Sequence, residues 1–178
     1  MFFWHQDRLT GIANRRFFDK QLHKAWHKAQ RTGSSLSLLL CDIDHFKHFN
    51  NYYGRTRADD CLRQVAKHLR ATLQHPKALA ARYEGKKIAI LLPQTDAHKA
   101  FIIADQLLSD VRSLAIPHEQ FGVTQVVTIS IGGHSLWPAP RSSVKIIIRL
   151  AEIRLFQAKH CGGNQSRLST ACREILED

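Results

Sequence analysis

The chain has 178 residues, 44% of them hydrophobic, which suits one domain with a single well-buried core. A formal net charge of +11, from 26 Lys and Arg against 15 Asp and Glu, favours an anionic partner: a nucleotide, a nucleic acid, an acidic lipid or an acidic protein. No apolar run approaches the ~18 to 20 residues that a membrane-spanning helix needs, and the start is too short for a signal peptide, so we expect a cytoplasmic protein without a membrane segment.

The first half of the chain predicts a helix, a buried strand and a second helix. Apolar residues recur at helical spacing over residues 14–30, with Asn14 as the N-cap and Gly33 after the end. "LSLLLCDI" (residues 36–43) is an almost continuous apolar run, typical of a central strand covered on both faces. A second helical pattern runs over residues 56–73.

The second half predicts a hairpin, two further helices and a strand. Two short apolar runs, residues 79–83 and 88–92, flank the turn "EGKK". A helix capped by Asp96 follows, then "GVTQVVTISIGG" (residues 122–133) predicts one strand, and residues 144–160 predict a last helix before a tail that adds a strand or short helix. The whole order indicates an α+β fold, a mixed central sheet covered by helices.

The stretch "CDIDHFKHFNNYYGRTRADD" (residues 41–60) carries the sharpest chemical signal. Asp42 and Asp44 leave the end of the buried strand, and residues two apart on an extended chain point to the same side. Mg²⁺ binds to one or two such carboxylates together with phosphate oxygens, which Lys47 and nearby backbone N–H groups could hold. The competing interpretation is a solvated strand end.

Four motifs in the correct order resemble the GGDEF domain family of diguanylate cyclases over residues 7–164. They are "DRLTGIANRRFF", "DIDHFKHFNNYYGRTRADDCL", "VTISIGG" and "LAEIRLFQAKHCGGN". The hairpin turn occupies the position of the family's signature sequence. The resemblance implies the palm-like fold of nucleotidyl cyclases and a role in bacterial cyclic di-GMP signalling.

The resemblance also implies a set of ligand-binding residues. Asp42 and the carbonyl of Ile43 match metal ligands, which leaves Mg²⁺ as a cofactor if any metal binding survives. The other matches are to residues that bind GTP: His45, Phe46 and Lys47 around the β- and γ-phosphates, Asn50 and Asp59 at the guanine edge, and Lys159 at a phosphate.

The main departures from the family pattern lie at positions that the family uses for catalysis. Glu84-Gly85-Lys86-Lys87-Ile88 stands where the family has Gly-Gly-Asp/Glu-Glu-Phe, so the resemblance implies that Lys86 replaces a catalytic acid and Lys87 a metal-ligating glutamate. A protonated lysine has no lone pair to give a metal. We therefore expect no catalytic residues here, and expect Lys86 and Lys87 to hold phosphate instead.

Three further departures accompany the lysines. Gly163 replaces an arginine expected to bind phosphate, and Asn51 and Arg55 replace an aspartate and a histidine. The product-inhibition motif R-x-x-D would fall at "HPKA" (residues 75–78) and is absent, so no inhibitory site is expected.

Three functions remain open from the sequence. The favoured hypothesis is a catalytically degenerate domain that binds GTP or a related guanine nucleotide and acts as a regulatory or interaction module, with a second copy or a regulatory protein as partner. The first alternative is an active diguanylate cyclase that condenses two GTP molecules with Mg²⁺. The second is a protein-interaction scaffold that binds no nucleotide.

The sequence also predicts the domain boundaries and the redox state of the cysteines. Residues 1–6 resemble the end of an upstream linker helix, residues 7–170 the domain, and residues 171–178 a C-terminal tail. The four cysteines lack metal-site spacing and are expected to be reduced, at least two of them buried. Basic residues are dispersed along the sequence without an arginine-rich arm, so nucleic acid is not an expected partner.

Overall fold

The computed structural model of the chain describes residues 3–120 and 123–171. Within these residues the helices are α1 Arg15–Thr32, α2 Phe46–Thr72, α3 Ala97–Ser113 and α4 Lys145–His160. The strands are β1 Leu36–Ile43, β2 Leu79–Glu84, β3 Lys87–Pro93, β4 Pro117–Gln120, β5 Val123–Val126, β6 Ile129–Leu136 and β7 Ser166–Thr170.

A five-stranded mixed sheet forms the centre of the fold, in the order β2-β3-β1-β6-β7. Only the β6 and β7 pair is parallel, and all eight residues of the central strand β1 are buried. Side chains of α2 and α3 belong to the core on one face of the sheet, and those of α1 and α4 to the core on the other. The predicted α+β fold with a mixed, helix-covered sheet is confirmed.

Helix α1 begins and ends as its sequence predicts. The Asn14 side chain accepts a hydrogen bond from the Phe17 N–H at 2.9 Å, which satisfies one of the first-turn donors. Gly33 adopts a left-handed conformation with φ 59°, which glycine enters without steric cost, and its N–H donates to the Ala29 carbonyl. The buried face consists of Phe18, Leu22, Trp26 and Ala29.

The segment before α1 is tied to the sheet by one carboxylate. Asp7 Oδ1 accepts from the backbone N–H and the hydroxyl of Thr10 at 2.9 and 2.8 Å, and Arg82 of β2 donates to both Asp7 oxygens at 3.2 Å. Burial alone would raise the pKa of Asp7, but these hydrogen bonds and the Arg82 charge outweigh it and lower that pKa. The aspartate of the opening motif therefore has a structural task.

Helix α2 begins ten residues earlier than the predicted start at residue 56, so that boundary was wrong. The helix runs from Phe46 and is interrupted at Gly54, which has φ 80° and ψ 167°. Glycine tolerates this conformation, and it joins two helical pieces at a kink. The first piece carries the polar residues of the motif, whose pattern shows little helical apolar periodicity.

The single strand predicted for residues 122–133 is two strands. β5 pairs with β4 in a separate two-stranded sheet, while β6 pairs with β1. The β-branched run continues through Val127 and Thr128, where the two strands separate, so residue types alone do not reveal the break. The segment after α4 adds a strand, β7, as one of the two predicted outcomes. Gly122 and residues 172–178 lie outside the described residues.

At the N-terminus, Phe3–His5 form one turn of 3-10 helix, and Gln6 bridges to Ala13. The domain boundaries, including an upstream linker helix, stay predictions. Cys41 and Cys61 are buried and Cys161 is exposed, all as free thiols, as expected; Cys172 lies outside the described residues. Within residues 3–120 and 123–171, none of the helices combines the length and apolarity that a bilayer crossing requires.

Candidate nucleotide-binding site

The end of β1 brings its carboxylate and carbonyl next to the β2–β3 turn. Asp42 is paired in register with Lys87 on β3 and with Ser130 on β6, so it lies between two strands and is only 6% exposed. The next residue, Ile43, ends the strand. Whatever approaches this strand end meets the Asp42 carboxylate and the Ile43 carbonyl together.

The Lys86 side chain contacts both of these groups at the end of β1. Its Nζ lies 3.2 Å from Asp42 Oδ1 and donates to the Ile43 carbonyl at 3.1 Å. The contact with Oδ1 is an ion pair without an aligned hydrogen bond, since that oxygen accepts none from the described residues. The ammonium also lies 6.0 Å from the centre of the Phe46 ring, within range of a weak cation–π interaction.

A second ammonium reaches the same atoms from α4. Lys159 Nζ lies 3.3 Å from Asp42 Oδ2 and 3.5 Å from Asp44 Oδ1, and it donates to the Ile43 carbonyl at 3.3 Å. Two lysines and two aspartates thus form a cluster whose formal charges cancel. Both aspartate side chains are less than a tenth exposed, while the Lys86 and Lys159 side chains are 30% and 26% exposed.

Asp44 has a different task from Asp42. Its carboxylate accepts hydrogen bonds from the Thr128 hydroxyl at 2.8 Å, the Ser130 hydroxyl at 2.6 Å and the Asn164 N–H at 2.8 Å. These contacts join the end of β1 to β6 and to the loop after α4. Gly163 packs against it so closely that an added Cβ would lie 3.1 Å from its carboxylate. Asp44 is therefore a structural carboxylate.

This arrangement does not fit a divalent cation as it stands. A metal at the strand end would need Asp42 and the Ile43 carbonyl as ligands, and both face ammonium groups at 3.1 to 3.3 Å. Within residues 3–120 and 123–171, His, Cys, Asp and Glu side chains nowhere gather in threes that could hold a metal ion. Lys86 takes the place that a bound cation would need.

The two lysines of the turn are not equivalent in their contacts. The resemblance implies that Lys87 stands at the metal-ligand position, whereas Lys86 is the residue that meets Asp42 and Ile43. Lys87 begins β3, and its Nζ lies 3.9 Å from the mostly exposed Glu84 carboxylate. It lines a cleft of about 560 Å³ together with Asp42, Arg149, Glu152, Ile153, Leu155, Phe156 and Lys159.

The expected phosphate-binding segment is the start of α2. His45 precedes the helix with φ 50°, an uncommon left-handed conformation for a residue with a side chain. Phe46 stacks on Phe49 at 6.2 Å, and Lys47 is exposed. The first turn of any helix has N–H groups without helical acceptors, so this helix end can receive an anion.

The two expected guanine-binding residues lie on opposite sides of the Gly54 kink. Asn50 belongs to the exposed surface of the first helical piece, and Asp59 is half-buried on the second. Over the part of the chain that the structure describes, neither side chain makes a hydrogen bond or ion pair, so both have unused polar atoms. Their roles in ligand binding stay predictions.

The sequence offered no signal for His118, which lies beside the start of α2. This buried residue of β4 has its ring centre 5.2 Å from that of Phe49, 6.0 Å from that of His48 and 6.5 Å from that of His45. Burial, and then the neighbouring imidazoles of His48 and His45, lower its pKa. An uncharged imidazole therefore supports the expected phosphate-binding segment at neutral pH.

The segment at residues 75–78 forms the loop between α2 and β2. The His75 ring accepts a hydrogen bond from the Lys77 N–H at 3.2 Å, and Lys77 Nζ donates to the Gln94 side chain. The loop carries no arginine and no acid, so the absence of an inhibitory site stays a prediction based on its composition.

The mixed sheet, with its strand-end aspartate facing a hairpin turn and a helix start, defines an α+β domain of the palm-like nucleotidyl-cyclase class. A sequence model of the family described as "Diguanylate cyclase, GGDEF domain" matches residues 4–165. The chain belongs to the GGDEF domain family.

Two curated relatives and two solved structures illustrate the similarity. The chain is 29% identical over 170 residues to the cyclic di-GMP phosphodiesterase NbdA of Pseudomonas aeruginosa, covering 96% of this chain and 21% of that protein. It is 31% identical over 161 residues to the probable diguanylate cyclase DgcT of Escherichia coli, covering 90% and 35%. The chain thus spans about a fifth to a third of the length of these relatives.

Among solved structures, the GGDEF domain of DgcB from Caulobacter crescentus in complex with c-di-GMP superimposes with a TM-score of 0.82 at 28% identity, covering 94% of this chain and 93% of that one. Diguanylate cyclase SiaD of Pseudomonas aeruginosa, in complex with its activator SiaC, gives a TM-score of 0.81 at 28% identity and covers 93% and 61%. The palm-like fold is confirmed.

Proposed function

We propose that this GGDEF domain is catalytically degenerate and binds a guanine nucleotide, GTP or a relative of it, as a regulatory module of cyclic di-GMP signalling in the cytoplasm. The observation that carries the proposal is the position of Lys86, whose ammonium lies between Asp42 and the Ile43 carbonyl. A residue of the chain itself supplies the positive charge there.

Loss of catalysis follows from the chemistry that the reaction needs. Condensing two GTP molecules requires a 3′-hydroxyl to attack an α-phosphate, and metal ions usually stabilise both the attacking and the leaving oxygen. Lys86 and Lys87 stand where the family has two acids, and a protonated lysine cannot ligate a metal. An ammonium neutralises charge but does not generate the nucleophile.

Retention of nucleotide binding follows from the groups that remain available. A lysine ammonium has three N–H donors, and Lys86 gives one to the Ile43 carbonyl, so it can also donate to a phosphate. Lys47 is exposed at the start of α2, and among the described residues the one acid within ion-pair distance of Lys87 is the exposed Glu84, at 3.9 Å. Asn50 and Asp59 have unused polar atoms suited to the amide and amine edge of guanine.

An active diguanylate cyclase is the second candidate. It is favoured by relatives named as diguanylate cyclases and by the presence here of Asp42, Asn50, Asp59 and Lys159. It requires two domains to meet, each with one GTP, and it requires Lys86 to leave Asp42. A scaffold that binds no nucleotide is the remaining alternative, and a second copy or a regulatory protein would be its partner.

Two measurements on the purified protein separate these functions. Chromatography after incubation with GTP and Mg²⁺ or Mn²⁺ should show no cyclic di-GMP, and calorimetry should show saturable GTP binding. Asn50→Ala and Asp59→Ala should each weaken GTP binding about tenfold or more, while Asn51→Ala, its neighbour on the exposed surface, should leave it unchanged. Cyclic di-GMP formation would favour the cyclase, and no GTP binding would favour the scaffold.

A further inference from the structure

The outward face of α1 carries a dense row of positive charge that the nucleotide site does not use. Six of its eighteen residues are Lys or Arg, one is acidic, and two are histidines, so this helix alone holds a formal charge of +5 of the chain's +11. The basic residues look dispersed in the sequence, but the helix places most of them away from its buried face. Arg15 instead lies over the Tyr83 ring, and the cationic and histidine residues of the outward face are Arg16, Lys20, His23, Lys24, His27, Lys28 and Arg31.

The spacing of these cations puts them next to one another. Arg16, Lys20, Lys24 and Lys28 follow at intervals of four residues, which are neighbours on a helix surface, and like charges at this interval destabilise a helix. Of the six Lys and Arg of α1, Arg15 alone has an acid of the described residues within ion-pair distance, namely Asp19 at 2.9 Å. Among the described residues, the other five Lys and Arg of α1 therefore lack an acidic partner within ion-pair distance.

A cleft next to α1 extends the same positive surface. This cleft, of about 380 Å³, is lined by Lys24 and Lys28 of α1 and by Lys77 of the loop before β2. Leu36, at the first position of β1, is also part of its lining. Asp42 lies six residues further along the same strand, about 20 Å away at ~3.3 Å per residue, so this surface is separate from the nucleotide site.

We propose that this face of α1 binds the surface of an acidic lipid bilayer, without crossing it. A helix of eighteen residues is about 27 Å long, and cations spread over one side of it can meet anionic headgroups in any register. Trp4, which is 82% exposed, lies at the N-terminal end of α1, where its carbonyl accepts a hydrogen bond from Asn14. Tryptophan is enriched at membrane interfaces.

The same face is less suited to nucleic acid. Single-stranded nucleic acids are bound through exposed aromatic rings interleaved with cations. The aromatic residues of α1 itself are Phe17, Phe18 and Trp26, which are half-buried or buried, and the exposed Trp4 precedes the helix instead of lying among its cations. In duplex DNA, amide side chains read adenine, and the two amides of α1, Gln21 and Gln30, are half-buried beside this face.

The proposal is tested by co-sedimentation of the whole chain with phosphatidylcholine vesicles, with and without phosphatidylglycerol. We expect binding only to the acidic vesicles and weaker binding as salt rises. Each lysine near such a surface contributes about a fivefold change in partition. The triple variant Lys20→Glu/Lys24→Glu/Lys28→Glu should therefore lose binding more than a hundredfold.

A matched triple variant controls for net charge. Lys99→Glu/Arg112→Glu/Lys145→Glu makes the same charge change at exposed positions of α3 and α4. It should retain most of the binding, and circular dichroism should show both variants folded. Equal losses in the two variants, no sedimentation with acidic vesicles, or retention of the chain on RNA or DNA instead would each overturn the proposal. Because Asn50→Ala and Asp59→Ala should leave vesicle binding unchanged, this result is independent of the nucleotide site.

Discussion

Lys86 Nζ lies 3.2 Å from Asp42 Oδ1 and 3.1 Å from the Ile43 carbonyl oxygen. The ammonium thus contacts the two groups that the family resemblance assigns to a metal ion. Because Lys159 reaches the same carboxylate, Asp42 is compensated twice within the chain. A divalent cation would have to displace Lys86, and the Lys159 ammonium would repel it.

Replacing Lys86 by glutamate should create a metal site. Lys86→Glu removes the ammonium and places a second carboxylate beside Asp42, so Mn²⁺ binding, measured by electron paramagnetic resonance, should be negligible in the parent chain and measurable in the variant. Lys87→Glu makes the same charge change one residue away and should bind far less Mn²⁺. Equal Mn²⁺ binding by the parent chain and Lys86→Glu would contradict the role given to Lys86.

Replacing Asp42 by asparagine should destabilise the fold. The substitution leaves two ammonium groups around a neutral amide. Breaking a fully buried pair costs about 3–5 kcal/mol, but the lysine side chains are 30% and 26% exposed and can turn to water, so we expect about 1–3 kcal/mol by urea unfolding. Lys87→Ala, which removes a 3.9 Å ion pair with the exposed Glu84 carboxylate, should cost about 0.5 kcal/mol or less. Equal costs for the two would refute the buried cluster.

The Asp7 contacts should make stability depend on pH in the acid range. The pKa of Asp7 is lowered from its ordinary 3.8, so its contribution is present above pH 3.8 and is lost as pH falls through the lower folded-state value. Asp7→Asn should cost about 1–2 kcal/mol in unfolding free energy at neutral pH. The difference between parent and variant should shrink below about pH 4; a constant difference would show that the charge is not involved.

Two adjacent glycines of β6 should differ in their tolerance of a methyl group. A Cβ on Gly132 would lie 2.0 Å from the backbone nitrogen of Leu155 in α4, which cannot move without displacing the helix. On Gly133 the nearest atoms belong to the side chains of Leu39 and Leu168, at 2.5 and 2.9 Å. We expect Gly132→Ala to cost about 3 kcal/mol or more and Gly133→Ala about 1–2 kcal/mol in thermal or urea unfolding. Equal costs would contradict the packing of α4.

Elements with strong apolar periodicity were predictable, and those defined by a backbone conformation were not. The apolar run of β1 and the capped helix α1 follow from residue types. The kink at Gly54 and the division of residues 122–133 depend on φ and ψ values at single positions, to which hydrophobic patterns are insensitive.

The contacts at the end of β1 could not be predicted from the sequence. The resemblance assigns Asp42, Lys86 and Lys159 to ligand binding, and the structure brings their side chains together, but their binding roles stay predictions. Which lysine meets the carboxylate depends on the twist of a four-residue turn, and the sequence alone cannot give it. The hydrogen bonds of Asp44 likewise require β6 to lie beside β1, which no local pattern encodes.

The central claim is tested most directly by calorimetric titration of GTP into the parent chain, once with Mg²⁺ and once with EDTA. Because Lys86 supplies the charge at the strand end, the two dissociation constants should agree within about threefold, whereas Lys86→Glu should bind GTP only when Mg²⁺ is present. Strict Mg²⁺ dependence in the parent chain would contradict the account.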